Sequence, residues 1–266
     1  KLYKLSILFF YTMNPLYTVF VYGVWLLATY YLVFLALLLF MNRNKLYETK
    51  KSYDKDSFVS IIVPAFNEEE KIADTIKSLK KVKYENIEYI IINDGSKDQT
   101  SKVVNKNIKS NPRFVFLNNQ KNKGKAACLN EGIKIARGEF IACMDADSIV
   151  QRDIFKKTLP YFDNENVGAV TVSVELRKPK GLLHKIIDLE YIIGLSLFLK
   201  LFSLFNCVFV TPGQFSIYKK KVLNKIGGFD VDNITEDLEI AYRIQKQGYK
   251  IKNCMEAKVK TITPPT

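Results

Sequence analysis

Three short polar groups in the sequence each follow an apolar, β-branched run: Asn67-Glu68 after FVSIIVPAF, Asp94-Gly95-Ser96 after IEYIIIN, and Asp145-Ala146-Asp147 after EFIACM. If those runs are parallel strands of an open α/β sheet, the groups converge, because ligands in such sheets bind beyond the carboxyl ends of the strands. Each also has a plainer reading. Asp94-Gly95 is a common turn dipeptide, and Asp147-Ser148 could simply cap a helix. Gathered carboxylates repel unless a cation joins them. A hard divalent ion, Mg2+ or Mn2+, held by one or two carboxylates together with substrate phosphates meets that need, and Asp145-x-Asp147 has suitable spacing. Lys125, in NKGKAACLN, offers a further positive charge to the same phosphates, although it could equally be one of many solvated lysines.

A fourth acidic group, Thr235-Glu236-Asp237, opens a stretch whose Leu238, Ala241 and Tyr242 share a helical face and which stops at Gly248. Thr is a good N-cap, and acids suit the first turn of a helix, so structure alone could explain them. The chemical reading is that a carboxylate beside a phosphate-rich pocket takes the proton of an attacking hydroxyl. Other chemistries fare worse. Gly124-Lys125 is followed by Ala126 and has no glycine five positions earlier, which excludes a P-loop, and no GxGxxG fingerprint exists. The lone histidine, His184, lies in an apolar stretch and reads as an interface or core residue. The four cysteines form no CxxC pair, which removes zinc ribbons and disulfide frameworks and makes a reducing compartment the default.

The elements that must position these residues are legible in outline. The chain has 266 residues, 48% hydrophobic and 25% charged, enough for one large folded domain or two small ones. Strands are expected at Phe58 to Val63, Ile87 to Asn93, Arg113 to Leu117, Glu139 to Met144 and Val167 to Val174. Ile72, Ile76 and Leu79 keep helical spacing, as do Leu129, Ile133 and Ala136, with Gly138 as the stop. This alternation predicts a largely parallel sheet covered by helices.

Residues 16–41 contain no charged side chain, and as a helix they would reach about 39 Å, enough to cross a bilayer. Arg43, Lys45, Lys50, Lys51 and Lys55 follow that stretch, against Lys1 and Lys4 before it, so the positive-inside rule puts the larger part in the cytoplasm. Residues 182–205 are apolar but interrupted by Lys185, Asp188, Glu190 and Lys200. They read as a helix at the membrane interface or against membrane helices. The net charge of +13 favours anionic company, whether nucleic acid, acidic lipid or a phosphorylated substrate. No nucleic-acid-binding module is recognisable, so nucleic acid is not expected as a partner.

Six motifs occur in order: VPAFNEEEKI (63–72), INDGSKDQT (92–100), KGKAACLNEGI (123–133), MDADS (144–148), TPGQFSIYKKKVLNKIGGFD (211–230) and TEDLEIAYRIQKQGYKI (235–251). Over residues 58–260 this resembles glycosyltransferase family 2. With a preceding membrane helix it looks like the membrane polysaccharide synthases that make hyaluronan, chitin, cellulose or poly-N-acetylglucosamine.

The resemblance implies a GT-A-like nucleotide-sugar-binding α/β domain and roles by position. Phe66, Asn67, Glu68 and Asp94 would line the nucleotide pocket, Lys125 would face the diphosphate, and Asp145 would contact the nucleotide sugar. Asp147 would be the main ligand of Mg2+ or Mn2+. Asp237 would be the base that deprotonates the acceptor, giving single displacement with inversion, while Pro212, Gly213, Gln214 and Glu236 would serve the acceptor. The family's Gln-x-x-Arg-Trp motif is expected beyond Thr266, so the sequence reads as a fragment.

The organisation expected is a flank (1–15), a transmembrane helix (16–41), a basic cytoplasmic linker (42–57) and a glycosyltransferase domain (58–266). The partners implied are a UDP-sugar, a polysaccharide acceptor and membrane lipids, at the plasma membrane with the catalytic domain cytoplasmic. Two rivals remain: a non-processive transferase acting on a lipid-linked acceptor, and a catalytically silent nucleotide-binding subunit.

Overall fold

The computed structural model describes residues 15–46, 56–109, 111–179 and 181–262. The chain divides into two compact units, residues 1–46 and 47–266. Most of the expected N-terminal flank and the middle of the basic linker, with Lys50, Lys51 and Lys55, lie outside the described residues.

In the first unit, α1 (Pro15–Met41) is a 27-residue helix with a mean hydropathy of 2.3 over its most apolar window. Pro15 stands in its first turn, where a missing N–H costs nothing. Thr29 Oγ1 donates to the Trp25 carbonyl at 2.8 Å, which satisfies the hydroxyl within the helix. At about 40 Å the helix is long and apolar enough to cross a bilayer. A short turn, α2 (Arg43–Leu46), follows.

The second unit holds an eight-stranded sheet. In chain order its elements are β1 (Val59–Ala65), α3 (Ile72–Leu79), β2 (Ile87–Asp94), α4 (Thr100–Ile108), β3 (Phe114–Asn119), α5 (Lys125–Ile135), β4 (Phe140–Cys143), β5 (Ile149–Val150), α6 (Ile154–Thr158) and β6 (Val167–Leu176). There follow α7 (Gly181–Tyr191), a π-helical stretch (Ile192–Phe198), α8 (Leu199–Leu204), β7 (Ser216–Lys219), α9 (Lys220–Ile226), α10 (Glu236–Lys246) and β8 (Lys250–Thr261). The strand order is β3-β2-β1-β4-β7-β6-β8-β5. Strands β3, β2, β1 and β4 are mutually parallel, β7 runs antiparallel between β4 and β6, and β8 lies parallel to β6.

The continuous apolar runs in β1 and β2 reflect burial on both faces. Alternate residues serve two cores. Val59, Ile61 and Val63 pack with Ile72, Ile76 and Leu79 of α3, whereas Ile62 packs with Leu129 and Ile133 of α5. Gly132 lets α5 approach closely, since a Cβ there would lie 2.5 Å from Ile62 Cγ2.

All five expected strands form, with ends shifted by one or two residues. Gly138 requires a correction. The helix ends at Ile135, Ala136 is already extended, and Gly138 is needed because a Cβ would meet Ser60 N at 2.6 Å. Strands β5, β7 and β8 were not expected. The stretch is helical from 182 to 204, with Phe205 in the turn that ends it, and Leu182, Leu183, Ile186 and Leu189 are all more than half exposed.

Candidate functional site

The polar groups at the ends of β1, β2 and β4 meet at one edge of the parallel sheet. A cavity of about 400 Å³ there is lined by residues that include Phe66, Glu68, Asp94, Lys125, Asp145 and Asp147. Its floor is made by backbone locked from several directions. Thr75 Oγ1 on α3 donates to the Ala146 carbonyl at 2.6 Å, and Met144 N donates to the Ile62 carbonyl at 3.0 Å. These bonds hold the Asp-Ala-Asp turn against both neighbouring elements.

Asp94, 3% exposed, accepts from Lys123 N at 2.8 Å and Gly124 N at 2.9 Å, so its carboxylate ties the end of β2 to the loop that starts α5. Gly95 makes that approach possible: its φ is +66°, and a Cβ would sit 2.6 Å from Asn122 N. Asn67, at φ 55°, fastens two loops together. Its N–H donates to Ser96 Oγ at 2.9 Å, and its side-chain oxygen accepts from Lys97 N at 2.9 Å. It lies outside the lining of the large cavity, whereas Phe66 and Glu68 are in it.

Electrostatics single out the acids. Burial pushes the Asp147 carboxyl above its ordinary value, and neighbouring Asp145 adds to the shift. Glu68 is also raised, first by burial, against the opposing pull of Lys71 and with smaller contributions from Asp147 and Asp145. Thr261 Oγ1, at the end of β8, donates to Asp147 Oδ1 at 3.3 Å. Among the described residues, no three acidic, cysteine or histidine side chains gather closely enough to hold a metal ion by themselves. A hard cation would fit these oxygens if phosphate and water completed its shell, and it would offset both the burial of the Asp147 carboxylate and the lesser repulsion from Asp145.

Lys125 joins the two halves of the site. Its ammonium lies 2.7 Å from Asp145 Oδ1 and 3.1 Å from Glu236 Oε1. Burial opposes its charge, yet the two carboxylates hold its pKa above the ordinary lysine value. Gly213 makes room for this contact, since a Cβ there would be 2.4 Å from Nζ.

Beyond the bridge, a cavity of about 10 Å³ is lined by residues including Pro64, Lys125, Thr211, Gly213, Glu236 and Asp237. The Asp237 carboxyl is raised by burial and then by Glu236, with the 2.9 Å bond from Leu238 N opposing. Thr235 does not cap α10 through its side chain. Its hydroxyl donates to Asn233 Oδ1 at 2.9 Å, leaving its carbonyl to receive Leu238 N and Glu239 N. Pro212 is buried with its carbonyl accepting from Ser216 Oγ at 2.8 Å, and Gln214 is half-buried.

Several residues at the site had no signal in the sequence. Asn130, on α5, grips the Phe229 backbone through both amide atoms, at 2.7 and 2.8 Å, and Arg243 donates to the carbonyls of Ile226 and Gly228. Together they fix α10 against α5. Neither contact could be read from spacing, because the partners are backbone groups far along the chain.

Comparisons with known proteins bear on the family and the fold. The family described as Glycosyl transferase family 2 matches residues 60–227. The poly-β-1,6-N-acetyl-D-glucosamine synthase of Staphylococcus aureus (strain COL) is 34% identical over 246 residues, covering 89% of this chain and 57% of that protein. Its counterpart from Staphylococcus epidermidis is 32% identical over 237 residues, with the same coverages. The chain therefore spans a little over half the length of these curated relatives.

Among solved structures, the mannosyltransferase PcManGT from Pyrobaculum calidifontis, in complex with GDP-Man and Mn2+, superposes with a TM-score of 0.67 at 20% identity, covering 86% of this chain and 64% of that one. S. aureus TarS 1-349 in complex with UDP-GlcNAc gives 0.61 at 19% identity, covering 79% and 59%. These likenesses establish the GT-A-like α/β fold.

Proposed function

Because the chain belongs to glycosyltransferase family 2, we propose that it provides the donor site and catalytic base of a membrane-anchored, inverting transferase that extends a polysaccharide from a UDP-sugar. The names of the relatives point to N-acetylglucosamine as the sugar and to a polymer as the product. The observation that carries the reading is the meeting of Glu68, Asp94, Lys125, Asp145 and Asp147 around one cavity of about 400 Å³, a size that suits a nucleotide sugar.

In this reading the nucleotide lies against Phe66, Asn67, Glu68 and Asp94. The acceptor hydroxyl, positioned with the help of Pro212, Gly213, Gln214 and Glu236, attacks the anomeric carbon of the sugar. Asp237 takes the hydroxyl proton, the bond to the diphosphate breaks, and UDP leaves with its electron pair. The raised carboxyl of Asp237 makes it a stronger base than an ordinary aspartate. Lys125 offsets negative charge on the leaving diphosphate. A divalent cation on Asp147, with Asp145 beside it, would supply further charge neutralisation, as the Mn2+ in the mannosyltransferase complex suggests by analogy.

Membrane attachment is supported by the length and apolarity of α1, and a cytoplasmic catalytic unit by the basic residues that follow it. The exposed Leu182, Leu183, Ile186 and Leu189 on α7 favour an interfacial position for that helix. They also give some weight to the second reading, transfer of one sugar to a lipid-linked acceptor.

Product size decides between them. Full-length protein in membranes, supplied with UDP-N-acetylglucosamine, should yield a high-molecular-weight polymer. A product with a single added sugar would favour the lipid-linked acceptor, and UDP binding without any transfer would favour a silent subunit.

A further inference from the structure

Lys125 stands at the junction of three cavities: the large one at the strand ends, the small one before Asp237, and an outer cleft of about 240 Å³ lined in part by Lys123, Val231 and Ile234. Its ammonium is held from two sides, by Asp145 on the DxD turn and by Glu236 at the start of α10. With that bridge made, the cavity before Asp237 measures about 10 Å³, room for at most about one water molecule. A hexose cannot enter it. The Lys125 ammonium forms part of the wall between this cavity and the large one, and a diphosphate in the large cavity is the ligand whose charge competes for it.

We propose that Glu236 is a positioning residue that competes with the donor's diphosphate for Lys125, so that the pocket before Asp237 opens when the diphosphate draws the ammonium away. The proposal rests on the nucleotide-sugar reading of the large cavity. It gives Glu236 a role toward Lys125 beside its place at the acceptor. The bridge is a fitted arrangement: a Cβ at position 213 would lie 2.4 Å from Lys125 Nζ and 3.4 Å from both Asp145 carboxylate oxygens. Gly213 has no positive φ, so alanine is conformationally acceptable there and would displace only the flexible end of Lys125. Breaking the bridge removes one competitor of the diphosphate, and coupling two sites through a shared charge makes donor affinity and pocket opening reciprocal.

The test is calorimetric titration of the full-length protein with UDP and with uridine. Glu236→Gln, and separately Gly213→Ala, should each tighten UDP about two- to fivefold, the range of a partly exposed ion pair, while leaving uridine affinity unchanged. In a Lys125→Met background both gains should vanish, because the competition has lost its object. Gly213→Ala alters no charge and serves if Glu236→Gln folds poorly. UDP affinity that is unchanged or weaker in the bridge-breaking variants, or tightening that survives in Lys125→Met, overturns the proposal. Wild-type protein that binds UDP no better than uridine would instead overturn the nucleotide-sugar reading beneath it.

Discussion

Thr211 holds Asp237 by the backbone: the Asp237 carbonyl accepts from Thr211 N at 3.1 Å and from Thr211 Oγ1 at 3.0 Å. The side chain accepts from backbone N–H groups of its own turn, Leu238 N at 2.9 Å among them. Position and chemistry are thus separable at this residue. Asp237→Asn keeps the backbone clasp and removes the base, so transfer turnover of the full-length enzyme should fall roughly 10²- to 10⁴-fold with UDP-sugar affinity little changed. Steady-state kinetics beside donor titration checks this. Turnover within a few-fold of wild type would exclude Asp237 as the base.

The raised carboxyl of Asp147 motivates a second prediction. If a divalent cation offsets the cost of keeping this buried carboxylate charged beside Asp145, Asp147→Asn should abolish most of the gain in UDP affinity that Mg2+ or Mn2+ confers, and leave metal-independent binding near the wild-type level. Calorimetry with and without chelator measures both. Metal-independent UDP binding of equal strength in wild type and variant would remove the cation from the mechanism.

How far the site could be read from sequence follows from how local its signals are. The β1, β2 and β4 runs are buried on both faces, so their apolar composition was sufficient, and the polar groups after them mark strand ends that share one edge. By contrast, β8 alternates Lys250, Lys252, Lys258 and Lys260 with inward residues such as Ile251 and Val259, and it shifts register against β6 near Val172, which hides its periodicity. β7 is only four residues long and sits inside a lysine-rich motif. The bridge from Lys125 to Glu236 had no signal, because nothing in either segment specifies the other. Lys219 makes the same point: in a run of three lysines it is 3% exposed, its ammonium donating to the carbonyls of Asn164 and Glu165.

Glu88 supplies a stability prediction away from the site. It is 2% exposed and accepts from Ser60 Oγ at 2.6 Å, Arg137 N at 2.7 Å and Arg137 Nε at 2.8 Å. Burial opposes its ionisation, but these donors outweigh it and hold the pKa below the ordinary 4.5. The carboxylate's stabilisation is therefore complete above about pH 4.5, where the unfolded chain is ionised too, and is lost as pH falls through the lower folded value. Glu88→Gln should destabilise the chain by about 1–3 kcal/mol at neutral pH, since it loses charge-assisted bonds and presents an amide donor to other donors. Urea unfolding at pH 7 and at acid pH tests this, and the gap between variant and wild type should narrow on acidification. A gap that widens would assign the stabilisation to another group.

The last prediction concerns the pH dependence of transfer. Burial is the main cause that lifts the Asp237 carboxyl above 3.8, with the Glu236 carboxylate second. A base works only when deprotonated, so the acidic limb of kcat/KM in the full-length enzyme should fall off at a pH above the ordinary aspartate value. Replacing Glu236 with Gln removes a neighbouring negative charge, which should move that limb downward. Stability runs the other way. A carboxyl whose folded pKa is raised ionises more readily in the unfolded chain, so above pH 3.8 its charge favours unfolding, and Asp237→Asn should leave the protein at least as stable as wild type at neutral pH. An acidic limb that stays in place in Glu236→Gln, together with a clear loss of stability in Asp237→Asn, would mean that the charge on Asp237 supports the fold instead of the chemistry.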